Sequence, residues 1–185
     1  MDETAIATLK VPRERIGAII GKGGETKRRL EDLGLSDLRI DSSTGEVTVI
    51  QRNDPIRSRQ VVSVIQAISR GFSPERAISL LNDDFFLHVI SLKDYAKPGS
   101  RRMNEIRARI IGSSGKTRRI IEDLTDTYIS VYGDTVSIIG DYVSLEYSVR
   151  AVSMILGGRK HRTVYQYLEK SSRELKFRKI EEGFK

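Results

Sequence analysis

Two stretches of this chain, half a sequence apart, read almost alike: Ile20-Gly21-Lys22-Gly23-Gly24-Glu25-Thr26-Lys27-Arg28-Arg29 and Ile111-Gly112-Ser113-Ser114-Gly115-Lys116-Thr117-Arg118-Arg119. Each places a two-residue loop between glycines, after an apolar helical pattern and before a basic helix start. A chain that carries one such device twice folds as two copies of one unit. Backbone amides, a helix N-terminus and cations gathered at one spot point to a polyanion as ligand.

The remaining sequence agrees. At 185 residues the chain holds two units of about 80 to 90, each long enough to bury its own core. A formal net charge of +7, in a chain that is 31% charged, favours nucleic acid or another acidic partner. Cysteine is absent, which removes disulfides, thiol catalysis and most structural zinc sites. No apolar run approaches the ~18 residues of a membrane span. The start, Met1-Asp2-Glu3-Thr4, lacks the basic and apolar parts of an export signal, so a cytoplasmic protein without membrane association is expected.

Hydrophobic spacing and turn residues predict the same order of elements twice. In the first unit, residues 1–82, a strand over Thr4 to Val11 stops at Pro12. A helix from Arg13 to Ile20, the loop and a helix from Glu25 that stops at Gly34 follow. Strands at Leu38–Asp41 and Glu46–Ile50 flank a turn, and Asp54-Pro55 caps a long helix reaching Arg70. The second unit, residues 83–185, repeats this with a strand over Phe85–Leu92, a helix from about Met103 to Ile111, a helix over Lys116–Leu124, strands at Tyr128–Tyr132 and Thr135–Ile139, and a helix over Asp141–Leu156. A further helix follows each unit, from Pro74 to Leu81 and from Gly158 to Leu168. The second of these runs into a basic tail, Lys176 to Lys185, expected to fray at its end.

Ile16-Gly17-Ala18-Ile19-Ile20-Gly21-Lys22-Gly23-Gly24 resembles the signature of the KH RNA-binding domain, whose two-glycine loop clamps roughly four single-stranded nucleotides. The resemblance implies an α+β fold of two type I KH domains, each a three-stranded antiparallel sheet with helices on one face and an appended helix. The Thr-Lys-Arg and Lys-Thr-Arg steps after the loops, with the appended helix containing Ser73-Pro74-Glu75, further resemble tandem-KH ribosome-biogenesis proteins. These include archaeal relatives of the partner of the Nob endonuclease. The implied ligand is single-stranded RNA, in particular the 3′ region of small-subunit (16S) ribosomal RNA, with assistance to its maturation as the role. The implied protein partners are a Nob-type endonuclease and the alpha subunit of archaeal initiation factor two. One chain already supplies two linked sites, so a monomer is expected.

Carried over residue by residue, the loop contacts would be Gly21, Lys22, Gly23, Gly24, Lys27 and Arg28 in the first unit. In the second they would be Gly112, Ser113, Ser114, Gly115, Lys116, Arg118 and Arg119, with Arg107 and Arg109 adding charge. An apolar groove floor would comprise Ile19, Ile20, Leu38 and Ile40, then Ile110, Ile111, Ile129 and Val131, although the same residues also suit a helix–strand core. Arg39 and Ser130 alternate with these and are expected to face outward. The chain departs from the KH pattern where Lys27 and Arg118 replace an isoleucine, where Arg107 and Ala108 replace the equivalents of Ile16 and Gly17, and where Ser113-Ser114 replaces Lys22-Gly23.

Competing readings fit less well. Gly115-Lys116-Thr117 resembles the end of a nucleotide-binding P-loop, but Ile110 stands where that motif needs a glycine, and a helix, not a strand, is expected before the loop. Glu31-Asp32 and Glu122-Asp123 sit on basic helices and are expected to balance neighbouring cations. His88 and His161 show no convergent partner, so no catalytic residue, cofactor or metal site is expected. A protein adaptor, with the positive charge serving an acidic protein surface, is an alternative compatible with RNA binding; Tyr142, Tyr147, Tyr165 and Tyr167 sit late in the chain, but aromatic residues at helical spacing more often belong to a core.

Overall fold

The computed structural model describes residues 4–183. It divides into two compact units, Met1–Phe85 and Phe86–Lys185. The export-signal reading at residues 1–3 and the last two residues of the basic tail lie outside the described residues.

The first unit runs β1 (Thr4–Lys10), α1 (Arg13–Ile20), the loop, α2 (Glu25–Gly34), β2 (Ser36–Asp41), β3 (Glu46–Gln51) and α3 (Pro55–Ser69). Its antiparallel sheet has the order β1-β3-β2, with the central strand pairing Val49 to Ala7 on one side and to Leu38 on the other. Asp54 caps α3 by accepting hydrogen bonds from the amides of Ile56 and Arg57 at 2.9 and 3.0 Å, with Pro55 opening the helix. Ile16, Ile19, Leu30, Val47, Val49, Val61, Val64, Ile65 and Ile68 are buried and form the interior between sheet and helices.

Gly34 does not stop α2 by taking a left-handed conformation. It stays helical, and the left-handed residue is Leu35, at φ +47°. A Cβ on Gly34 would lie 1.9 Å from Val61 Cγ2, so this glycine permits α2 and α3 to touch. The appended segment is one short turn of α-helix, α4 (Pro74–Ala77), followed by a 3-10 turn over Ile78–Leu81, with Ala77, Leu80 and Leu81 buried.

The second unit repeats the plan with β4 (Phe85–Ser91), α5 (Arg101–Ile111), the loop, α6 (Lys116–Thr125), β5 (Tyr128–Tyr132), β6 (Thr135–Asp141) and α7 (Tyr142–Leu156), in the sheet order β4-β6-β5. Helix α5 begins earlier than the spacing suggested because Ser100 caps it, accepting from the Met103 amide at 3.1 Å. The larger correction concerns the chain after residue 168. The appended element and most of the basic tail form one 21-residue helix, α8 (His161–Glu181). Val164, Leu168, Ser171 and Leu175 bury one stripe of it, and Lys179 Nζ binds Asp126 at 2.7 Å and Asp141 at 2.9 Å. Those two ion pairs extend its attachment beyond the last apolar contact. Among the described residues, no helix is long and apolar enough to cross a membrane.

Candidate nucleic-acid interface

The two loops have the same backbone. Gly21 (φ +71°, ψ 176°) matches Gly112 (φ +74°, ψ 172°), Gly23 (φ +59°) matches Ser114 (φ +51°), and Gly24 (φ +80°) matches Gly115 (φ +77°). Each loop is a 3-10 turn, closed by the Gly24 amide on the Gly21 carbonyl at 3.3 Å and by Gly115 on Gly112 at 3.1 Å. The first amides of such a turn have no acceptor inside the turn they open, which leaves donors directed outward. That Ser114 occupies the left-handed region without being glycine shows that the turn geometry is maintained against an intrinsic preference.

A threonine braces each turn from below. A Cβ on Gly21 would lie 2.2 Å from Thr26 Oγ1, and one on Gly112 would lie 2.3 Å from Thr117 Oγ1. In the second unit Thr117 is almost fully buried and its hydroxyl is 2.8 Å from the Tyr165 hydroxyl on α8. His161, stacked on Tyr165, places Nε2 2.8 Å from the Arg109 carbonyl. Sequence reasoning passed over Thr26, Thr117 and Tyr165 as parts of the site. The recurrence of threonine at the same place in both loops was the available signal.

The expected cations fall into two groups. Lys22, Arg28 and Lys116 are exposed beside the loops. Others are engaged by the protein itself. Lys27 pairs with Glu31 at 3.6 Å and Arg118 with Glu122 at 3.8 Å, while Glu31 and Glu122 accept the strand amides of Leu38 and Ile129 at 2.8 and 2.7 Å. The two acidic residues therefore tie helix to strand in addition to balancing charge. Arg119 turns back to donate to the Ser114 carbonyl at 2.7 Å. Arg107 donates to the Gly133 carbonyl at 3.0 Å and to Asn104 Oδ1, holding α5 to the β5–β6 turn. Arg109 donates to the carbonyls of Ile155 at 2.9 Å and Arg159 at 2.6 Å, closing the end of α7. Arg107 and Arg109 thus have structural partners in place of the free charge expected of them.

The apolar floor also divides. Ile19, Leu38, Ile110 and Ile129 are fully buried and belong to the core. Ile20, Ile40, Ile111 and Val131 are half-buried, at matching places in both units; Ile20 and Ile111 directly precede the loops, and Val131 packs partly against the core of the second unit. Ser130 is not outward-facing as expected: it is buried opposite Ser137 on β6, a strand buried along its whole length. Arg39, its counterpart in the first unit, is exposed.

No group of three or more side chains able to hold a metal ion occurs among the described residues. The segment before Gly115 is helix α5, which excludes the strand-to-loop geometry of a P-loop.

Comparison with known proteins matches these features. Residues 86–173 fit the family model of the eukaryotic-type KH domain, KH-domain type I, and residues 6–57 fit the KH domain model. A KH domain-containing protein of Methanocaldococcus jannaschii is 37% identical over 97% of this chain and 79% of its own length. The pre-rRNA-processing protein PNO1 of Phaeosphaeria nodorum is 24% identical, and the match spans 77% of this chain but only 52% of that protein. Among solved structures, Dim2p of Pyrococcus horikoshii is 40% identical with a TM-score of 0.83, covering 89% of this chain and 98% of the relative. The same organism's a/eIF2alpha–aDim2p–rRNA complex contains a chain that is 38% identical with a TM-score of 0.85, covering 91% and 94%. Two glycine turns of one geometry, two sheets of one topology and these relatives show that the chain belongs to the type I KH domain family, as a tandem protein homologous to archaeal Dim2p and the PNO1 pre-rRNA-processing proteins.

Proposed function

We infer that this protein binds single-stranded RNA through both loops and holds the 3′ region of small-subunit ribosomal RNA during its maturation. The observation that carries the RNA-binding step is the pair of matching turns, each with exposed loop side chains and with half-buried apolar residues at matching places. Backbone donors and cations suit phosphates, and those apolar residues suit unstacked bases. In the first unit Gly21, Lys22, Gly23, Gly24, Arg28, Ile20 and Ile40 make this contact. In the second, Gly112, Ser113, Ser114, Gly115, Lys116 and Ile111 make it. The ribosomal target is supported by the PNO1 relatives, which are pre-rRNA-processing proteins, and by the Pyrococcus relative found with rRNA.

The chain contributes no catalytic group to this role and acts in the cytoplasm as a monomer. It positions RNA for a Nob-type endonuclease. Docking of the alpha subunit of an archaeal initiation factor two is supported by the presence of a/eIF2alpha in the complex of the Pyrococcus relative.

The test replaces both loop residues by aspartate in each unit: Lys22→Asp with Gly23→Asp, and Ser113→Asp with Ser114→Asp. Aspartate tolerates the left-handed region and these side chains are exposed, so folding is kept while phosphate is repelled. Each pair should weaken binding of the 3′-region RNA about tenfold or more in a filter-binding assay. Unchanged affinity with both pairs together ends the clamp assignment. Equal binding of a scrambled strand of the same length ends the ribosomal one.

A further inference from the structure

The turn between α7 and α8 differs between the two repeats in a way that the loops do not. After α3 the first unit reads Gly71-Phe72-Ser73-Pro74-Glu75, and after α7 the second reads Gly158-Arg159-Lys160-His161-Arg162. Phe72 is buried and Glu75 is exposed and acidic, whereas Arg159, Lys160 and Arg162 are all exposed. One repeat thus presents three cations where its twin presents none.

This basic turn is fixed against the base of the second loop. Arg109, in the last turn of α5, donates to the carbonyl of Arg159 at 2.6 Å, and the His161 ring meets the Arg109 carbonyl at 2.8 Å. Arg109 lies three residues before Gly112, or about 4.5 Å along the helix axis. Tyr165, one turn into α8, reaches Thr117 beneath that glycine. The contact made by Arg159 uses its backbone carbonyl, and among the described residues the side chains of Arg159, Lys160 and Arg162 make no hydrogen bond or ion pair, so their charges are available to a ligand at the surface.

We propose that Arg159, Lys160 and Arg162 form an auxiliary phosphate-binding site that extends the RNA track of the second unit past its glycine loop. The site rests on the RNA-binding reading above and adds to it. A strand clamped by Ser113 and Ser114 continues across this turn, where three cations meet phosphates outside the roughly four nucleotides that one KH groove holds. The first unit has no such extension, so the two units differ in the length of RNA they engage.

The experiment uses the full chain with the first loop inactivated by Lys22→Asp and Gly23→Asp, so that binding reports the second unit. Into this background go Arg159→Gln, Lys160→Gln and Arg162→Gln together. All three side chains are exposed and the anchoring carbonyl is retained, so the melting temperature should not change. Fluorescence anisotropy then compares oligouridylates of about four and about twelve nucleotides across a salt series. The expected result is an unchanged affinity for the short RNA and a loss of about tenfold for the long one at low salt. The slope of log K against log salt for the long RNA should become shallower by about 2, as three lost contacts at about 0.7 each require. An equal loss on both lengths, or an unaltered slope on the long one, overturns the proposal. Failure of the first-loop background to bind either RNA, or binding indifferent to Ser113→Asp with Ser114→Asp, instead overturns the clamp reading of the second loop.

Discussion

Arg15 and Arg109 grip equivalent carbonyls from non-equivalent positions. Arg15 Nε donates to Ile68 at 2.9 Å and its terminal nitrogen to Phe72 at 2.6 Å, while Arg109 donates to Ile155 at 2.9 Å and Arg159 at 2.6 Å. Ile155 and Arg159 stand to α7 as Ile68 and Phe72 stand to α3. Arg15 lies five residues before Ile20, however, and Arg109 only two before Ile111, so the arginine has moved by one turn along the same helix face. The unpaired carbonyls at the end of a helix are what both repeats must satisfy, and either position reaches them.

Arg109→Ala should therefore destabilise the fold by about 1.5–3 kcal/mol, the range for a hydrogen bond to a charged group. It should leave the salt dependence of RNA binding unaltered. Urea unfolding and a salt-series titration of the same variant check both parts. A shallower salt slope with intact stability would make Arg109 a phosphate contact after all.

Much of this architecture was legible beforehand because repetition reports fold and local chemistry together. The glycine turns, the Asp54 cap and the order of strands follow from residue type and spacing alone. What was not legible depends on partners distant in sequence. Nothing local distinguishes Arg107 and Arg109, which bind carbonyls, from Lys22 and Lys116, which stay exposed. The tail expected to fray at its end is helical for a similar reason: Asp126 and Asp141, which hold Lys179, are far along the chain. Ser130 was misjudged because strand alternation presumes one open face, and β6 beside it is buried on both.

Gly34→Ala should be destabilising although alanine is the better helix former. The gain in helix propensity is about 1 kcal/mol. Against it stands a Cβ placed 1.9 Å from Val61 Cγ2 in a buried contact, for which overpacking costs about 1–3 kcal/mol or more. Steric conflict prevails. Adding Val61→Ala removes the clashing methyl, so the double variant should lose less stability than the two single losses combined. Simple additivity in urea unfolding would show that α2 and α3 do not meet through this glycine.

Asp141 gives the attachment of α8 a pH dependence. Burial alone would push its carboxyl upward, but the Ser144 amide, the Lys179 ammonium and the Ser144 hydroxyl together hold it below the ordinary value. Asp41, in the exposed β2–β3 turn, is held at about 2 by the Ser43 hydroxyl and by the amides of Thr44 and Ser43. A carboxyl with a depressed folded pKa stabilises the fold fully above its unfolded value of about 3.9, and that contribution disappears as pH falls through the folded value. Asp141→Asn should therefore lower the urea midpoint at pH 7 and at pH 5 by similar amounts, and the gap from the parent should narrow below about pH 4. A gap that stays constant into acid would remove the ion pair from the account.

The division of the loop cations predicts which of them RNA senses. Lys22 and Lys116 are exposed beside the turns, whereas Lys27 is half-buried and paired with Glu31, whose carboxylate also receives the Leu38 amide. A phosphate competing for Lys27 would have to draw it away from that carboxylate, but one approaching Lys22 or Lys116 displaces only water and counterions. Lys22→Ala and Lys116→Ala should each make the slope of log K against log salt shallower by about 0.7, the value for one contact to a single strand. Lys27→Ala should leave the slope as it is and reduce stability by less than about 1 kcal/mol, as expected for a helix-surface ion pair. Equal slope changes for all three lysines, measured by anisotropy on one RNA, would mean that the Lys27–Glu31 pair opens on binding and that the whole first turn of α2 faces the ligand.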